Sequence, residues 1–212
     1  MLKMLIPYSK CLDILKKCNK TVSGILHIGA HECEELNDYV LNGMTKDDVI
    51  WIEANPSLVE LAKNRGINNI YSLAVDNEEG EATFNITNNG QSSSLLSLGT
   101  HKTSYPSITV NKTITVNKMK LSSFFQNNPE IDHTKLNFWN LDIQGSELNA
   151  LKSAEEYLKY ADAIYSEVNT QYVYENCGLL KDMDEFLESK GFKRLDIVMT
   201  DAGWGDALWV RI

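Results

Sequence analysis

The sequence contains no paired-cysteine motif, no signal-peptide core and no apolar run long enough to cross a membrane. Its four cysteines, Cys11, Cys18, Cys33 and Cys177, include neither a CxxC pair nor a zinc-finger spacing, so we expect reduced, partly buried thiols. No segment has the roughly 20 apolar residues that a membrane-spanning helix needs. These absences predict a soluble, intracellular protein of the cytoplasm.

Basic residues are scarce relative to acidic ones. The 212 residues include 20 Lys and Arg against 29 Asp and Glu, which gives a formal net charge of −9. Nucleic-acid-binding proteins normally present a basic surface to the phosphates. We therefore expect no nucleic-acid partner.

No internal repeat, linker or low-complexity tract divides the chain, so we expect one main domain. An amphipathic helix over about residues 8–19 precedes the first predicted strand. We predict an N-terminal helical extension over residues 1–23, which acts as an oligomerisation arm or a lid. Residues 24–212 form the predicted domain, and the sequence sets no oligomeric state.

Short buried strands alternate with amphipathic helices along most of this domain. In its first half, strands are predicted at 24–29, 49–53 and 69–75, and helices at 32–41 and 56–65. In its second half, strands are predicted at 136–142 and 163–168, and helices at 147–158 and 179–190. Such alternation is typical of parallel strands joined by right-handed crossovers.

Two further patterns complete the predicted fold. Segments 192–199 and 207–212 form a predicted antiparallel hairpin, and segments 81–87 and 108–116 alternate with period two, as accessory strands do. The polar loop 88–94 is either a surface loop or a loop that folds over a ligand. We therefore predict an α/β fold with a Rossmann-like, mostly parallel sheet of about seven strands between helices.

Two strand ends in the first half carry the residues expected at a cofactor site. The turn at Gly29, Ala30 and His31 has little side-chain volume, and the helix predicted after it would point free amides into the crevice. Glu53 lies 24 residues after Gly29 and ends the next strand, where a carboxylate can accept both hydroxyls of a ribose. The pattern indicates a nucleoside cofactor. The other interpretation of Glu53 is a solvated strand end.

The residues of this turn distinguish between two cofactor classes. A dinucleotide site needs G-x-G-x-x-G, but Gly29 is followed by Ala30, His31, Glu32 and Cys33. Acidic residues at the start of a helix also repel a diphosphate. S-adenosylmethionine has no phosphate and carries a sulfonium cation. The turn therefore favours S-adenosylmethionine, with an NAD-dependent oxidoreductase as the alternative.

A second group of polar residues lies at the ends of the later strands. Asp142 can position the methionine end of the cofactor, act as a base or bind a metal. Glu167 and Asn169 end the neighbouring strand, and together with Asp142 they offer oxygen ligands of the kind that Mg²⁺ or Mn²⁺ prefers. The alternative is that Glu167 and Asn169 only hold the following loop by hydrogen bonds.

Three histidines fall close to these strand ends or in the middle segment. His27 lies inside or at the end of a strand and is expected to be structural, whereas His31 lies in the glycine turn and is expected to contact ligand. His101 is a weaker candidate for the general base than Asp142 or Glu167.

Six segments, taken in order, resemble the successive motifs of FkbM-type methyltransferases, and the resemblance extends from about residue 24 to the C-terminus. They are HIGAH at 27–31, WIEANP at 51–56, SSSL at 92–95, LDIQGSE at 141–147, SEVN at 166–169 and DALWV at 206–210. Two positions depart from the family's pattern, because the family usually has an aspartate where His27 stands and a glycine where Cys33 stands.

The resemblance implies a class I methyltransferase fold and S-adenosylmethionine-dependent O-methylation, in this family often of sugars or glycosylated natural products. Carried over by position, it implies that Asp142 and Glu167 act in catalysis, with Glu167 towards a carbohydrate acceptor. The residues implied to bind the cofactor are His27, Gly29, Ala30, His31, Glu53, Ala54, Ala74, Val75, Ser93, Ser94, Asp142 and Gln144. A non-catalytic binding module that keeps the fold is the remaining alternative.

Overall fold

The computed structural model describes residues 4–154 and 156–212, so the first three residues of the predicted extension and Glu155 of the predicted helix 147–158 lie outside the described residues. The helices are α1 (Tyr8–Lys17), α2 (Leu36–Leu41), α3 (Pro56–Asn64), α4 (His101–Ser104), α5 (Leu121–Asn127), α6 (Glu147–Ser153) and α7 (Leu180–Ser189). The strands are β1 (Ile25–Ile28), β2 (Val49–Glu53), β3 (Ile70–Ser72), β4 (Ala74–Val75), β5 (Gly80–Thr87), β6 (Val110–Met119), β7 (Phe138–Leu141), β8 (Ala163–Asn169), β9 (Phe192–Met199) and β10 (Trp204–Arg211).

The main sheet has seven strands in the order β3-β2-β1-β7-β8-β10-β9. The first five strands in this order, β3, β2, β1, β7 and β8, run parallel, and β10 is antiparallel to both of its neighbours. Every residue of β1, β2, β7 and β8 is buried, as expected when helices cover both faces of a parallel sheet. This arrangement confirms the predicted fold class, which is the seven-strand class I methyltransferase sheet with its C-terminal antiparallel hairpin.

The segment before β1 packs against one face of the main sheet. The Tyr8 ring lies 4.8 Å from the Tyr39 ring and 5.3 Å from the Phe138 ring, measured between centroids. The backbone N–H of Leu5 donates to the Asp206 carboxylate at 2.7 Å. Residues 4–17 are therefore packed onto the same sheet as the rest of the chain, while the predicted boundary at residue 24 stays a prediction.

The predicted strand 69–75 is divided between two sheets. Strand β3 ends at Ser72, and the Leu73 N–H then donates to the Glu53 carbonyl at 3.1 Å. Strand β4 instead joins the second sheet, of order β4-β6-β5, whose apolar side chains form a small core of their own around Phe84. The chain leaves the main sheet at Leu73 because Ala74 and Val75 pair with β6.

The helix predicted over residues 32–41 begins only at Leu36. The prediction that free helix amides follow the glycine turn directly is therefore wrong. The backbone is left-handed at His31 (φ +43°) and Cys33 (φ +57°), which interrupts helical hydrogen bonding. A tight turn forms instead, closed by the Cys33 N–H donating to the Ala30 carbonyl at 2.6 Å. Residues 29–35 are therefore a loop.

Among the described residues, no helix combines the length and the apolar character that a membrane crossing requires. The four cysteines are unpaired, and Cys18 is the one that is only half-buried.

Gly29 lies where the ends of β1 and β7 come together. Its φ is +92°, and a Cβ at this position would lie 1.8 Å from the carbonyl oxygen of Asp142. The close approach of these two backbones therefore requires a residue without a side chain.

We predict that Gly29→Ala lowers the free energy of unfolding by about 2–5 kcal/mol, because overpacking and left-handed strain add together. Gly43→Ala is the matched control: its φ is +100°, yet no atom lies within 4 Å of the added Cβ. At Gly43 only the left-handed backbone strain remains, and we expect the alanine to lower the free energy of unfolding by about 1–2 kcal/mol. Urea denaturation of both variants measures the difference, and equal losses would contradict the backbone contact.

Candidate functional site

Two adjoining cavities open where β1, β2, β7 and β8 end. The first, here called the Glu53 cavity, is lined by Glu53, Ala74 and Phe84 among others. The second, the Glu167 cavity, is lined by Glu167 and Asp206 among others. Both cavities share the residues Gly29, His31, Gln91, Asp142 and Gln144. A ligand could therefore extend from one cavity into the other past the ends of β1 and β7.

Glu53 is fixed at the end of β2 by two backbone donors. Its carboxylate accepts the N–H of His31 at 2.8 Å and the N–H of Asn55 at 2.7 Å, one on each oxygen. Burial raises the pKa of the Glu53 carboxyl, while these donors oppose the rise because they stabilise the ionised form. Each oxygen keeps a further lone pair for a ligand.

The remainder of the Glu53 cavity is mostly apolar. Its walls include Leu58, Ala74, Val75, Phe84 and Leu95. An apolar slot beside one fixed carboxylate suits a heteroaromatic base attached to a ribose, whose faces are apolar and whose hydroxyls donate hydrogen bonds. The chemistry of the residues present therefore fits a nucleoside.

Gln144 joins the two carboxyl groups that the resemblance implies for catalysis, those of Asp142 and Glu167. Its Nε2 donates to Asp142 Oδ1 at 2.5 Å and to Glu167 Oε2 at 2.7 Å. The Tyr174 hydroxyl donates to Gln144 Oε1, which fixes the orientation of the amide. Gln144 is itself left-handed, with φ +57°. Asp142 and Glu167 are thus held on neighbouring strands by one shared amide.

Burial controls the protonation of these acids. Burial and the nearby Asp206 raise the pKa of Asp142 to about 6. Burial and the charge of Asp142 raise the pKa of Glu167 well above its usual value. Asp142 is therefore ionised near neutral pH, whereas Glu167 keeps its proton to a higher pH than an exposed glutamate does.

Glu167 lies opposite Asp206 across the antiparallel pair β8–β10. Asp206 accepts the Leu5 N–H at 2.7 Å and the Tyr165 hydroxyl. Glu167 is only 7% exposed, and its Oε1 has no hydrogen-bond partner among the described residues. This oxygen, on the wall of the cavity, is therefore left for a ligand.

The three histidines differ in environment. His27 is buried and lies 3.0 Å from the Tyr39 hydroxyl through Nδ1, and burial lowers its pKa to about 3, so it is neutral. His31 lines both cavities with Nδ1 2.7 Å from Glu34; burial lowers its pKa, but Glu34, Glu53 and Glu32 together raise it above its usual value. His101 Nε2 lies 3.2 Å from Ser92 Oγ, and burial lowers its pKa.

The described residues contain no group of three or more His, Cys, Asp or Glu side chains placed to hold a metal ion. The Gln144 amide lies between the carboxyl groups of Asp142 and Glu167. Asn169 is fully buried, and neither its side-chain oxygen nor its nitrogen has a partner in the described part of the chain. The alternative to metal binding predicted for Asn169 was that its side chain holds the next loop by hydrogen bonds. The described residues show no such hydrogen bond.

Most residues implied to bind the cofactor lie around the Glu53 cavity. Those that line it are Gly29, His31, Glu53, Ala54, Ala74, Val75, Ser93, Asp142 and Gln144. His27 lines the Glu167 cavity instead. Ala30 and Ser94 line neither cavity: the Ala30 N–H donates to the Ile52 carbonyl at 3.0 Å, and Ser94 Oγ donates to the Gln144 carbonyl at 2.7 Å.

The polar loop 88–94 folds against the cavities. Gln91 lines both of them, and Ser92 and Ser94 are buried. The Asn85 N–H donates to the Ser94 carbonyl at 2.8 Å, which ties the end of the loop to β5. Of the two interpretations of this segment, a loop lying over the site agrees with the structure.

Several residues of the Glu167 cavity were missed by sequence reasoning. Tyr174, Tyr165 and Asp206 line it, but none was singled out for a role. Asp206 begins the DALWV segment and pairs with Glu167, so the predicted hairpin contained a usable signal for it. Tyr174 follows β8 in an irregular loop and lies within no motif.

Several solved structures are similar to the chain in fold at low sequence identity. Magnesium protoporphyrin IX methyltransferase from Synechocystis PCC 6803 is 10% identical with a TM-score of 0.47, over 96% of this chain and 77% of that one. Precorrin-6y C5,15-methyltransferase from Geobacter metallireducens GS-15 is 10% identical with a TM-score of 0.48, over 99% and 91%. Fibrillarin from Aeropyrum pernix is 10% identical with a TM-score of 0.45, over 95% and 74%.

No curated protein matches the chain in sequence. The methyltransferase FkbM domain matches residues 27–194, which include every residue implied to bind the cofactor. This stretch is most of the chain and agrees with the resemblance found in the motifs. The chain therefore belongs to the FkbM methyltransferase domain family.

Proposed function

We propose that this protein transfers a methyl group from S-adenosylmethionine to a hydroxyl of a sugar, a glycan or a glycosylated small molecule. Methyl transfer from S-adenosylmethionine is the general activity that the family and the fold support. The choice of a hydroxyl on a carbohydrate is the finer proposal. The observation that carries it is the pair of cavities that meet at Gly29, Asp142 and Gln144.

The Glu53 cavity is the proposed site of the nucleoside half of the cofactor. Glu53 would accept hydrogen bonds from the ribose hydroxyls, and Ala74, Val75 and Phe84 would contact the adenine. The loop at Gly29 and His31 lies between the two cavities, on the side proposed for the methionine half. When bound there, S-adenosylmethionine supplies an activated methyl group on a positively charged sulfur.

The Glu167 cavity is the proposed acceptor site. An alcohol is too weakly acidic to ionise at neutral pH, so a base must remove its proton as the methyl group is transferred. Asp142 is the proposed base, because its pKa of about 6 leaves it ionised at neutral pH. Glu167 lines this cavity with an oxygen that has no partner among the described residues, and it is proposed to hold the acceptor by hydrogen bonds.

Calorimetric titration with S-adenosylhomocysteine tests the cofactor class, with NAD titrated in parallel. We expect micromolar binding of S-adenosylhomocysteine and no binding of NAD, since the Glu53 cavity has a fixed carboxylate and the glycine turn lacks a diphosphate site. Binding of NAD alone would overturn the proposal in favour of an oxidoreductase. Binding of neither would favour the non-catalytic module.

Glu53→Ala is expected to weaken S-adenosylhomocysteine binding about ten- to hundredfold, because charge-assisted hydrogen bonds contribute roughly 1.5–3 kcal/mol. Glu60→Ala on the exposed side of α3 is the control and should bind as the unmodified protein does. Circular dichroism checks that both variants fold. Unchanged affinity in a folded Glu53→Ala protein would refute the ribose contact.

Asp142→Asn is expected to lower methyl transfer about 10²- to 10⁴-fold, the usual contribution of a general base. In the unmodified protein the rate should rise with pH and level off above about 6, as the Asp142 carboxyl loses its proton. The measurement is transfer of a radiolabelled methyl group to a panel of sugars, followed across pH. Asp201→Asn, in the exposed turn between β9 and β10, is the control. A pH profile unchanged in Asp142→Asn would rule Asp142 out as the base.

A further inference from the structure

The Glu167 cavity is lined by more carboxyl groups than the proposed cofactor has cationic groups. Its walls include five carboxyl groups, those of Glu34, Glu35, Asp142, Glu167 and Asp206. No lining residue in the described part of the chain is a lysine or an arginine. S-adenosylmethionine carries a sulfonium, an ammonium and a carboxylate, a net charge of only +1. Burial raises the pKa of Glu35 to about 8, so this carboxyl is mostly protonated at neutral pH. Asp142 is ionised there and would repel an anionic acceptor, with no lysine or arginine on these walls to offset the repulsion.

Some of these carboxyl groups form ion pairs or hydrogen bonds with other residues of the chain, but not all of their oxygens do. Glu34 is paired with His31 at 2.7 Å, and Asp206 accepts hydrogen bonds from Leu5 and Tyr165. Glu167 accepts a hydrogen bond from the Gln144 amide through one of its two oxygens only. Its other oxygen is unpartnered although the residue is more than nine-tenths buried and lines the cavity. Such an oxygen calls for a donor from a ligand, since a buried acceptor without a partner is destabilising.

Aromatic side chains line the same cavity. His101, Tyr105, Tyr174 and Trp204 are among its walls. Trp204 Nε1 donates to the Tyr105 hydroxyl at 3.0 Å, and the His101 ring lies 5.0 Å from Tyr105 and 5.7 Å from Tyr174. Aromatic faces beside a carboxyl group attract cations, and they also pack against the apolar face of a sugar ring. We call these four residues the aromatic wall.

Glu167 is also far from the ribose end of the proposed cofactor. Glu53 ends β2 and Glu167 lies in β8, with β1 and β7 between them in the sheet. Three strand spacings correspond to roughly 14 Å. Glu167 and the aromatic wall are therefore on the side of Asp142 that remains for the acceptor.

We infer that the acceptor carries a protonated amine, as an amino sugar does, and that Glu167 and the aromatic wall bind this amine. The inference rests on the proposed function, because it names the acceptor of that reaction. An acceptor with a phosphate or a carboxylate is excluded from the same place. The amine orients the acceptor, and the methyl group still goes to a hydroxyl next to Asp142.

The protonation of Glu167 gives this inference a measurable signature. Burial and the neighbouring Asp142, Glu147 and Asp206 raise the pKa of Glu167, and its remaining polar neighbours, Gln144 and Tyr174, are uncharged at neutral pH. An ammonium group bound beside Glu167 stabilises the ionised carboxylate and lowers this raised pKa again. Any proton that Glu167 holds before binding then goes to solvent as the ion pair forms. Amine binding should thus release protons.

The test is calorimetric titration of the S-adenosylhomocysteine-saturated protein with D-glucosamine, D-glucose and D-glucuronate, which are sugars of similar size and different charge. We expect glucosamine to bind at least about tenfold more tightly than glucose, and glucuronate to bind least, because a buried ion pair replaces a neutral contact. Repeating the titration in buffers of different ionisation enthalpy measures the released proton. Equal binding of glucosamine and glucose, or no binding of glucosamine at tens of millimolar, would overturn the inference.

Glu167→Gln keeps the shape of the side chain and removes its charge. We expect this variant to lose both the preference for glucosamine and the proton release. Glu175→Gln is the matched control, since Glu175 is exposed and pairs at 3.8 Å with Lys102 outside the cavity. A preference for glucosamine that persists in Glu167→Gln would overturn the role of Glu167. If the protein binds S-adenosylhomocysteine but shows no preference for glucosamine over glucose, this inference is wrong and the proposed function stands. If the protein does not bind S-adenosylhomocysteine, the proposed function is wrong.

Discussion

Carboxyl groups are buried side by side along the edge where the parallel strands end, and the other features of the site follow from the need to stabilise them. Burying an ionised carboxylate is unfavourable unless donors surround it. Glu53 meets this need with two backbone N–H groups, and Glu147 accepts the N–H groups of Ile143 and Gly145. Asp142 has the Gln144 amide. The loops at residues 29–35 and 142–147 therefore take their shapes partly from the acids that they cover.

The same constraint links the N-terminal segment to the site. The Leu5 N–H donates to Asp206, and Met4 lines the Glu167 cavity, although both residues precede the part of the chain that matches the family. Tyr8 anchors this segment by packing against Tyr39 and Phe138. Met4 of the extension thus lies on the wall of the Glu167 cavity, most of whose other lining residues fall within the stretch that matches the family. The role of the extension as a lid or an oligomerisation arm stays a prediction.

Much of the fold could be predicted from the sequence because its signals are local. Residues 49–52 of β2 are a continuous apolar run, and the hairpin predicted at 192–199 and 207–212 is found as strands at 192–199 and 204–211. The start of α2 could not be predicted, because the left-handed backbone at Cys33 leaves no trace in apolar periodicity. The transfer of Ala74 to a second sheet depends on pairing with β6, more than 40 residues later.

The site was predictable where motifs mark it and hidden where only tertiary packing assembles it. The glycine turn and Glu53 follow from strand ends, and the family resemblance added Ala74, Val75 and Gln144. Tyr174 could not be foreseen, because its hydroxyl reaches Gln144 from an irregular loop. The glycine that the family has at position 33 is explained by the structure: Cys33 adopts a φ of +57°, which glycine adopts without strain.

The buried acids also bear on how the proposed enzyme would exchange its spent cofactor. Transfer of the methyl group changes a sulfonium into a neutral thioether, so the product lacks the charge that drew the donor towards Asp142. Attraction between opposite charges is strong where water is excluded, and it disappears when one of the charges does. The cavity would therefore hold the charged donor more firmly than its uncharged product. In kinetic terms, the acidic lining would limit product inhibition and favour turnover in the direction of methylation.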